Sequence, residues 1–330
     1  MLEAFETILK LCKLSPGEVV LIFTDIDFPH PDYASNVLRA AHKIGAEGYI
    51  LTAGEMQSLQ DPLIRAAWLQ ADLLLGMSFL PGNFSWMYTD LHNEALKAGA
   101  RVLMVQEPPT VLLRLLPNPV VFQRGKNGAA LMKQAKYIRV TSEDGTDLTA
   151  SKEGRKGAFQ CGFVDEPGKW DHWPSGMVYC APLENSADGI LVVRPGDALI
   201  GMGLWQHAKQ EIRFTFKNGR ITDINGGEEA GLIREKLEQD GNEVAFRLAH
   251  MGWGLDDRAD WACVGMDSES FMGNVTIALG RNIFDTPHIY CGMGGQNRAG
   301  IHFDMCLLHK SMYLDEKIVI DRGVIDYKLS

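Results

Sequence analysis

GEVVLIFTDIDFPHPDYASNVLRAAHKIGAEGYILTA, residues 17–53, reads as strand, helix, strand. EVVLIFT is a short apolar run, DYASNVLRAAHKIGA places apolar side chains at helical spacing, and GYILTA is apolar again. ADLLLGMSF, DLHNEALKAGA and RVLMVQE continue the alternation to about residue 135. Strands alternating with helices predict a parallel sheet covered by helices on its faces. After EVVLIF the chain runs TDIDFPHPD, with no glycine cluster to admit a pyrophosphate, so the Rossmann-like shape brings no dinucleotide site with it.

From about Tyr137 the texture turns to β. Asp144-Gly145 in YIRVTSEDGTDLTAS and Asn218-Gly219 in EIRFTFKNGRITDING lie between strand-like runs and suit the positive φ of tight hairpin turns. VVRPGDALI and YLDEKIVIDRGVI read as further strands and turns, and one helix is expected near Glu228 to Asp240. At 330 residues the chain is long for one core. The division is expected between Ala135 and Tyr137: residues 1–136 form an α/β, Rossmann-like domain and residues 137–330 a β-rich, α+β domain that carries the chemistry.

Apolar residues make up 46 % and charged residues 22 % of the chain, as in a soluble globular protein. A formal charge of −10 with no basic stripe argues against nucleic acid as a partner. MLEAFETILKLCKLSPGE carries Glu3 and Glu6 in a helical pattern and lacks the features of a secretory leader. Nor is there an apolar run of about 18 residues that could span a membrane, so a cytoplasmic protein is expected. Cys12, Cys161, Cys180, Cys263, Cys291 and Cys306 show no CxxC spacing and read as reduced, mostly buried thiols.

In AGIHFDMCLLH, His302 and Asp304 form a His-x-Asp pair. On a strand, residues two apart share a face, so imidazole and carboxylate can reach one ion, and Cys306 lies on that face too. His250, upstream in LAHMGWGLDDRADW, is the third candidate ligand. Two histidines and one carboxylate form the facial set that leaves positions open on a non-haem Fe(II). HxD is short and common, and a structural role for both histidines is the alternative. The densest polar-aromatic segment is DEPGKWDHWPSG, with Asp165, Glu166, Asp171, His172, Trp170 and Trp173. His172, with an unperturbed pKa of about 6.5, suits proton exchange at neutral pH, against the alternative of a rigid loop packed on its tryptophans. Asn274 and Thr276 fall on an expected core strand, and His30, His42 and His92 look like loop or helix-surface residues.

DEPGKWDHWPSG, HMGWGLDDRADW and the HxD within Ile301 to Met305 resemble the 2,5-dihydroxypyridine 5,6-dioxygenases, non-haem iron enzymes of bacterial pyridine-ring degradation. Their fold is related to the thermophilic aminopeptidases of the aminopeptidase T type, and AGARVLMVQEPPTVLLRLLP extends the resemblance into the first half. The resemblance implies an aminopeptidase T-like two-domain architecture, and Fe(II) held by His250, His302 and Asp304 with no organic cofactor. It also implies a small hydroxylated aromatic or heteroaromatic substrate, O₂ as co-substrate, and a homo-oligomer. Glu166 and His172 would then orient the ring and shuttle the proton, with Trp170, Trp173, Leu80 and Asn274 around the substrate. In the family, the loop after the strand resembling ADLLLGMSF carries a histidine able to act as base. Here Leu80 is followed by Pro81, and Ala278 stands where the family has a ring-holding serine. The two-metal peptidases differ further: His250 replaces one of their glutamates and Thr276 a histidine, leaving only Glu228 or Glu229. The competing readings are a metal-dependent hydrolase and a metal-stabilised binding protein without activity.

Overall fold

The computed structural model describes residues 1–54, 59–78, 85–283, 288, 291 and 294–325. The chain forms two compact units. One comprises Met1–Asn118 with Gln160–Ser175 and Asp285–Cys291, the other Pro119–Phe159 with Gly176–Phe284 and Gly292–Ser330.

In the first unit residues 17–53 fold as strand Val19–Asp25, helix Asp32–Ile44 and strand Glu47–Ala53. The helix ends where Gly45 adopts φ 89°, a left-handed conformation that glycine reaches without a Cβ clash. Tyr33, Val37, Ala40 and Ala41 form its buried face. The sheet is parallel, in the order Glu47–Ala53, Val19–Asp25, Leu73–Met77, Arg101–Met104, Trp170–His172. Both faces of its central strands are covered, which accounts for their unbroken apolar runs. Val20 and Ile22 join a core with Phe5, Ile8 and Leu9 of the N-terminal helix Leu2–Leu11, while Phe23 packs edge-on against Trp68 and Trp86. Gly76 admits the Trp86 ring, since a Cβ there would lie 2.1 Å from it.

The last strand of this sheet belongs to DEPGKWDHWPSG. The change to β texture after residue 136 is therefore followed by a return of residues 160–175 to the first unit. Three residues of strand carry no readable period, so pattern alone could not place this segment in the parallel sheet.

The second unit holds two sheets. Eight strands run in the order Arg220–Gly226, Ile212–Lys217, Asp188–Val193, Asp147–Ser151, Tyr137–Thr141, Ser311–Leu314, Lys317–Asp321, Val324–Ile325. Seven run in the order Leu204–His207, Ala198–Gly201, His302–Leu307, Val275–Gly280, Leu248–Gly254, Met177–Cys180, Ala158–Gln160. Asn218 and Gly219 take φ 50° and 79° in a two-residue turn, as their dipeptide predicts. At Asp144-Gly145 only the glycine is left-handed. The loop is longer there, and the Asp144 carboxylate accepts hydrogen bonds from Thr146 and from Lys310 Nζ. The expected helix spans Glu228–Gln239. One α/β unit with a parallel sheet and one β-rich α+β unit make up the expected fold class. Among the described residues no helix is long and apolar enough to cross a membrane.

Candidate active site

His302 and Asp304 lie on strand His302–Leu307, at its start and two residues on, and share one face as their spacing predicts. His250 comes from strand Leu248–Gly254, two strands away across Val275–Gly280. Ala278 is directly opposite Asp304, and its methyl group leaves room for the side chains on either side to meet over it. His250 Nε2 lies 3.0 Å from Asp304 Oδ1, and His302 Nε2 lies 3.1 Å from Asp304 Oδ2. One ligand atom from each of the three falls within 4.8 Å of the others, the sole such triple among the described residues.

The hydrogen bonds around this group say what it lacks. His302 Nδ1 is 2.7 Å from the Arg281 carbonyl, which can only accept, so Nδ1 carries the proton and Nε2 of the neutral ring turns a lone pair toward Asp304. Two acceptors facing each other at that distance repel unless a cation or a proton lies between them. Among the described residues His250 Nδ1 is buried without a hydrogen-bond partner, and Asp304 Oδ1 is buried with the His250 Nε2 contact but no further donor. Burial holds His250 below its ordinary pKa, whereas at His302 the Asp304 carboxylate overcomes burial and pushes the ring up. Despite burial, both imidazoles hold Asp304 well below the usual carboxylate range. A buried carboxylate kept ionised, with two imidazole nitrogens aimed at it, fits a divalent cation.

A second constellation lies within residues 160–175. Trp170 and His172 share a face of their strand, with ring centroids 5.0 Å apart, edge to face. Asp171 points the other way. It accepts hydrogen bonds from the backbone N–H groups of Cys161, Gly162 and His172, and burial pushes its carboxyl up to about 7. Those bonds pin Cys161 and Gly162 beside His172, and so bring Gln160 to the imidazole. Gln160 Nε2 is 3.0 Å from His172 Nδ1, while Ser175 Oγ donates to Gln160 Oε1. An amide nitrogen only donates, so Nδ1 accepts and the neutral His172 ring carries its proton on Nε2.

The remaining expected residues are dispersed. Trp173 is 1 % exposed and sits in the apolar core, edge-on to Phe5 with centroids 5.4 Å apart. Glu166 is largely exposed and lies 3.0 Å from His288 Nε2. Asn274 is buried, and its amide accepts from Gly254 N and donates to the Ser268 and Glu269 carbonyls. Leu80 and Pro81 fall outside the described residues. Glu229 binds Gln206 and the N–H groups of Lys209 and Gln210, not the histidines. His92, expected on a helix surface, is wholly buried between Trp86 and Trp170. Cys306 is buried too, 3.8 Å from Thr276 Oγ1, and burial raises its thiol well above the ordinary pKa. Gln160 escapes sequence reasoning because no period links it to His172; only the Asp171 tie does.

The sequence model of the 2,5-dihydroxypyridine 5,6-dioxygenase family matches residues 1–327. The 2,5-dihydroxypyridine 5,6-dioxygenase of Pseudomonas putida is 29 % identical over 346 aligned positions, which cover 97 % of this chain and 94 % of that one. The solved structure of 2,5-dihydroxypyridine dioxygenase from Pseudomonas putida KT2440 superposes with a TM-score of 0.87 at 28 % identity, over 99 % of this chain and 96 % of that one. AmpT from Thermus thermophilus superposes with a TM-score of 0.58 at 13 % identity, over 98 % and 99 % of the two chains, and shares the fold. The two-domain architecture expected from the resemblance is thus present. With a family match that leaves out only the last three residues, this chain belongs to the 2,5-dihydroxypyridine 5,6-dioxygenase family.

Proposed function

We propose that this protein is a mononuclear Fe(II) dioxygenase that opens a hydroxylated N-heteroaromatic ring such as 2,5-dihydroxypyridine. The observation that carries the reading is the buried convergence of His250, His302 and Asp304 on one point. Those three residues would hold the metal. Bound there, Fe(II) would supply open positions for a substrate oxygen and O₂ and lower the pKa of the coordinated hydroxyl.

The protein's own groups have separable tasks in this reading. Asp304 contributes the single negative charge of the ligand set, which leaves an excess positive charge to favour an anionic substrate oxygen. The Arg281 carbonyl fixes the tautomer of His302, so that the lone pair of the neutral ring is on Nε2, the atom that would ligate. His172 offers a proton from Nε2 and serves as the donor to a substrate oxygen that gains charge during ring opening. Trp170, edge-on to that imidazole, helps exclude water from it. Glu166, steadied by His288, accepts a hydrogen bond from the substrate and orients the ring.

The test is anaerobic reconstitution with Fe(II), followed by O₂ uptake in the presence of 2,5-dihydroxypyridine. The expected outcome is one Fe(II) per chain and one O₂ consumed per ring opened. Zn(II)-dependent hydrolysis without oxygen consumption would overturn this reading in favour of a hydrolase. A bound metal with neither activity would leave a metal-stabilised binding protein.

A further inference from the structure

His250 does not sit on a regular strand. Leu248 is opposite Leu279 and Met251 opposite Ile277, with a register shift between, so Ala249 and His250 together face the single residue Ala278. This is a β-bulge, a device that re-aims a side chain and takes the carbonyls beside it out of the regular ladder. Buried carbonyls need donors. Here side chains supply them: Asn297 Nδ2 donates to Leu248 O at 2.8 Å, and Asn282 Nδ2 donates to Ala249 O at 3.0 Å.

The two asparagines also hold each other. Asn282 Oδ1 accepts from Asn297 N at 2.8 Å, and Asn282 N donates to Asn297 O at 3.2 Å. Both are buried, at 0 % and 1 % exposure. Their amide orientations follow from the fixed roles of the backbone groups they meet. Gly295 keeps the pair closed, because a Cβ there would lie 2.1 Å from Asn282 Cγ. Asn282 directly follows Arg281, whose carbonyl orients His302. His302 is therefore aimed through its Nδ1, but His250 Nδ1 has no partner among the described residues, so beyond the Asp304 contact and the neighbouring Tyr179 ring the aim of His250 depends on its backbone.

We infer that Asn282 and Asn297 form a clamp that sets the bulge at Ala249–His250 and so positions His250 as a metal ligand. The inference rests on the metal reading above. The clamp acts only through backbone carbonyls, which makes Asn282 and Asn297 positioning residues for metal affinity and for the shape of the ligand set.

Asn282→Asp and Asn297→Asp keep size and replace each donor by an oxygen facing a carbonyl. Affinity for Fe(II) under anaerobic conditions, and for Co(II) with its visible absorption spectrum, would be measured on wild type and both variants. The expected result is metal binding weakened about 10–100-fold, the range typical of lost support around a ligand, with an altered Co(II) spectrum. Asp144→Asn is the control. It takes the carboxylate from the buried Lys310 in the same unit, and should lower the melting temperature while leaving affinity and spectrum at wild-type values. Should Asn297→Asp not fold, Asn297→Ser removes the same donor without adding charge. Wild-type affinity and spectrum in the folded clamp variants would overturn the clamp while sparing the metal reading. A wild-type protein that binds neither Fe(II) nor Co(II) would overturn both.

Discussion

A neutral imidazole has one donor and one acceptor nitrogen, so whatever lies against Nδ1 decides what Nε2 can offer. At His172 that neighbour is the Gln160 amide nitrogen. Gln160→Glu replaces the donor by an acceptor and should draw the proton to Nδ1. The ¹⁵N shifts of the His172 ring report this directly, and unchanged shifts would refute the assignment. Turnover should fall while iron content stays constant. His172→Ala should cost about 10²–10⁴-fold in rate, also with iron retained; unchanged turnover would reduce the segment to a structural loop, and lost iron would make His172 part of the metal site. His302→Ala and Asp304→Ala act on the metal itself, since each removes one of three proposed ligands. Stoichiometric iron and full turnover in either variant would end the ligand assignment. The HxD pair was readable in the sequence because two-residue spacing means one face of a strand. Gln160 was not, because its approach to His172 depends on Asp171 bonding two backbone segments at once.

At the scale of elements, strand Val275–Gly280 separates the strand of His250 from that of Asp304, and Ala278, opposite Asp304, puts only a methyl group between them. Ala278→Leu would place a branched side chain where His250 Nε2 and Asp304 Oδ1 now meet. Overpacking a filled interior typically costs about 1–3 kcal/mol, so the fold should survive at a lower melting temperature. Bound iron should be lost, because the imidazole and carboxylate are forced apart. Metal analysis and thermal unfolding on one preparation test this, and stoichiometric iron in a folded Ala278→Leu protein would contradict the geometry. The elements themselves followed their periods: helix Asp32–Ile44 and the turn at Asn218-Gly219 fall where spacing and φ demand them. The strand Trp170–His172 and the bulge at His250 lie beyond such reading. One is too short to show a period, and the other breaks it.

For the whole molecule, acid response should trace in part to His92. Its Nδ1 donates to the Met87 carbonyl at 2.7 Å, its Nε2 is buried without a partner among the described residues, and burial lowers its pKa to about 4. An unfolded histidine takes up a proton near pH 6.5, which the folded ring refuses until about pH 4. At this residue the unfolded chain binds more protons between those values, so the contribution of His92 falls as pH falls, by up to about 3 kcal/mol at roughly 1.4 kcal/mol per pKa unit. Asp171, raised to about 7 by burial, acts with the opposite sign. Asp144 has the same sign as His92 in a lower window. Although burial pushes it up, bonds from Lys310 and Ser142 hold its carboxyl below the ordinary value, and its contribution is lost only as pH drops through that depressed pKa. His92→Phe separates the two. It keeps ring contacts with Trp86 and Trp170, now 5.7 and 6.0 Å between centroids, and removes the titration. Loss of the Met87 bond should lower stability at pH 7, while the decline from pH 6.5 to 4 becomes shallower and the steeper loss below pH 4 remains. Denaturant unfolding across this range decides it: if the variant and wild type lose stability in parallel between pH 6.5 and 4, the acid sensitivity lies elsewhere and a buried neutral His92 is not its source.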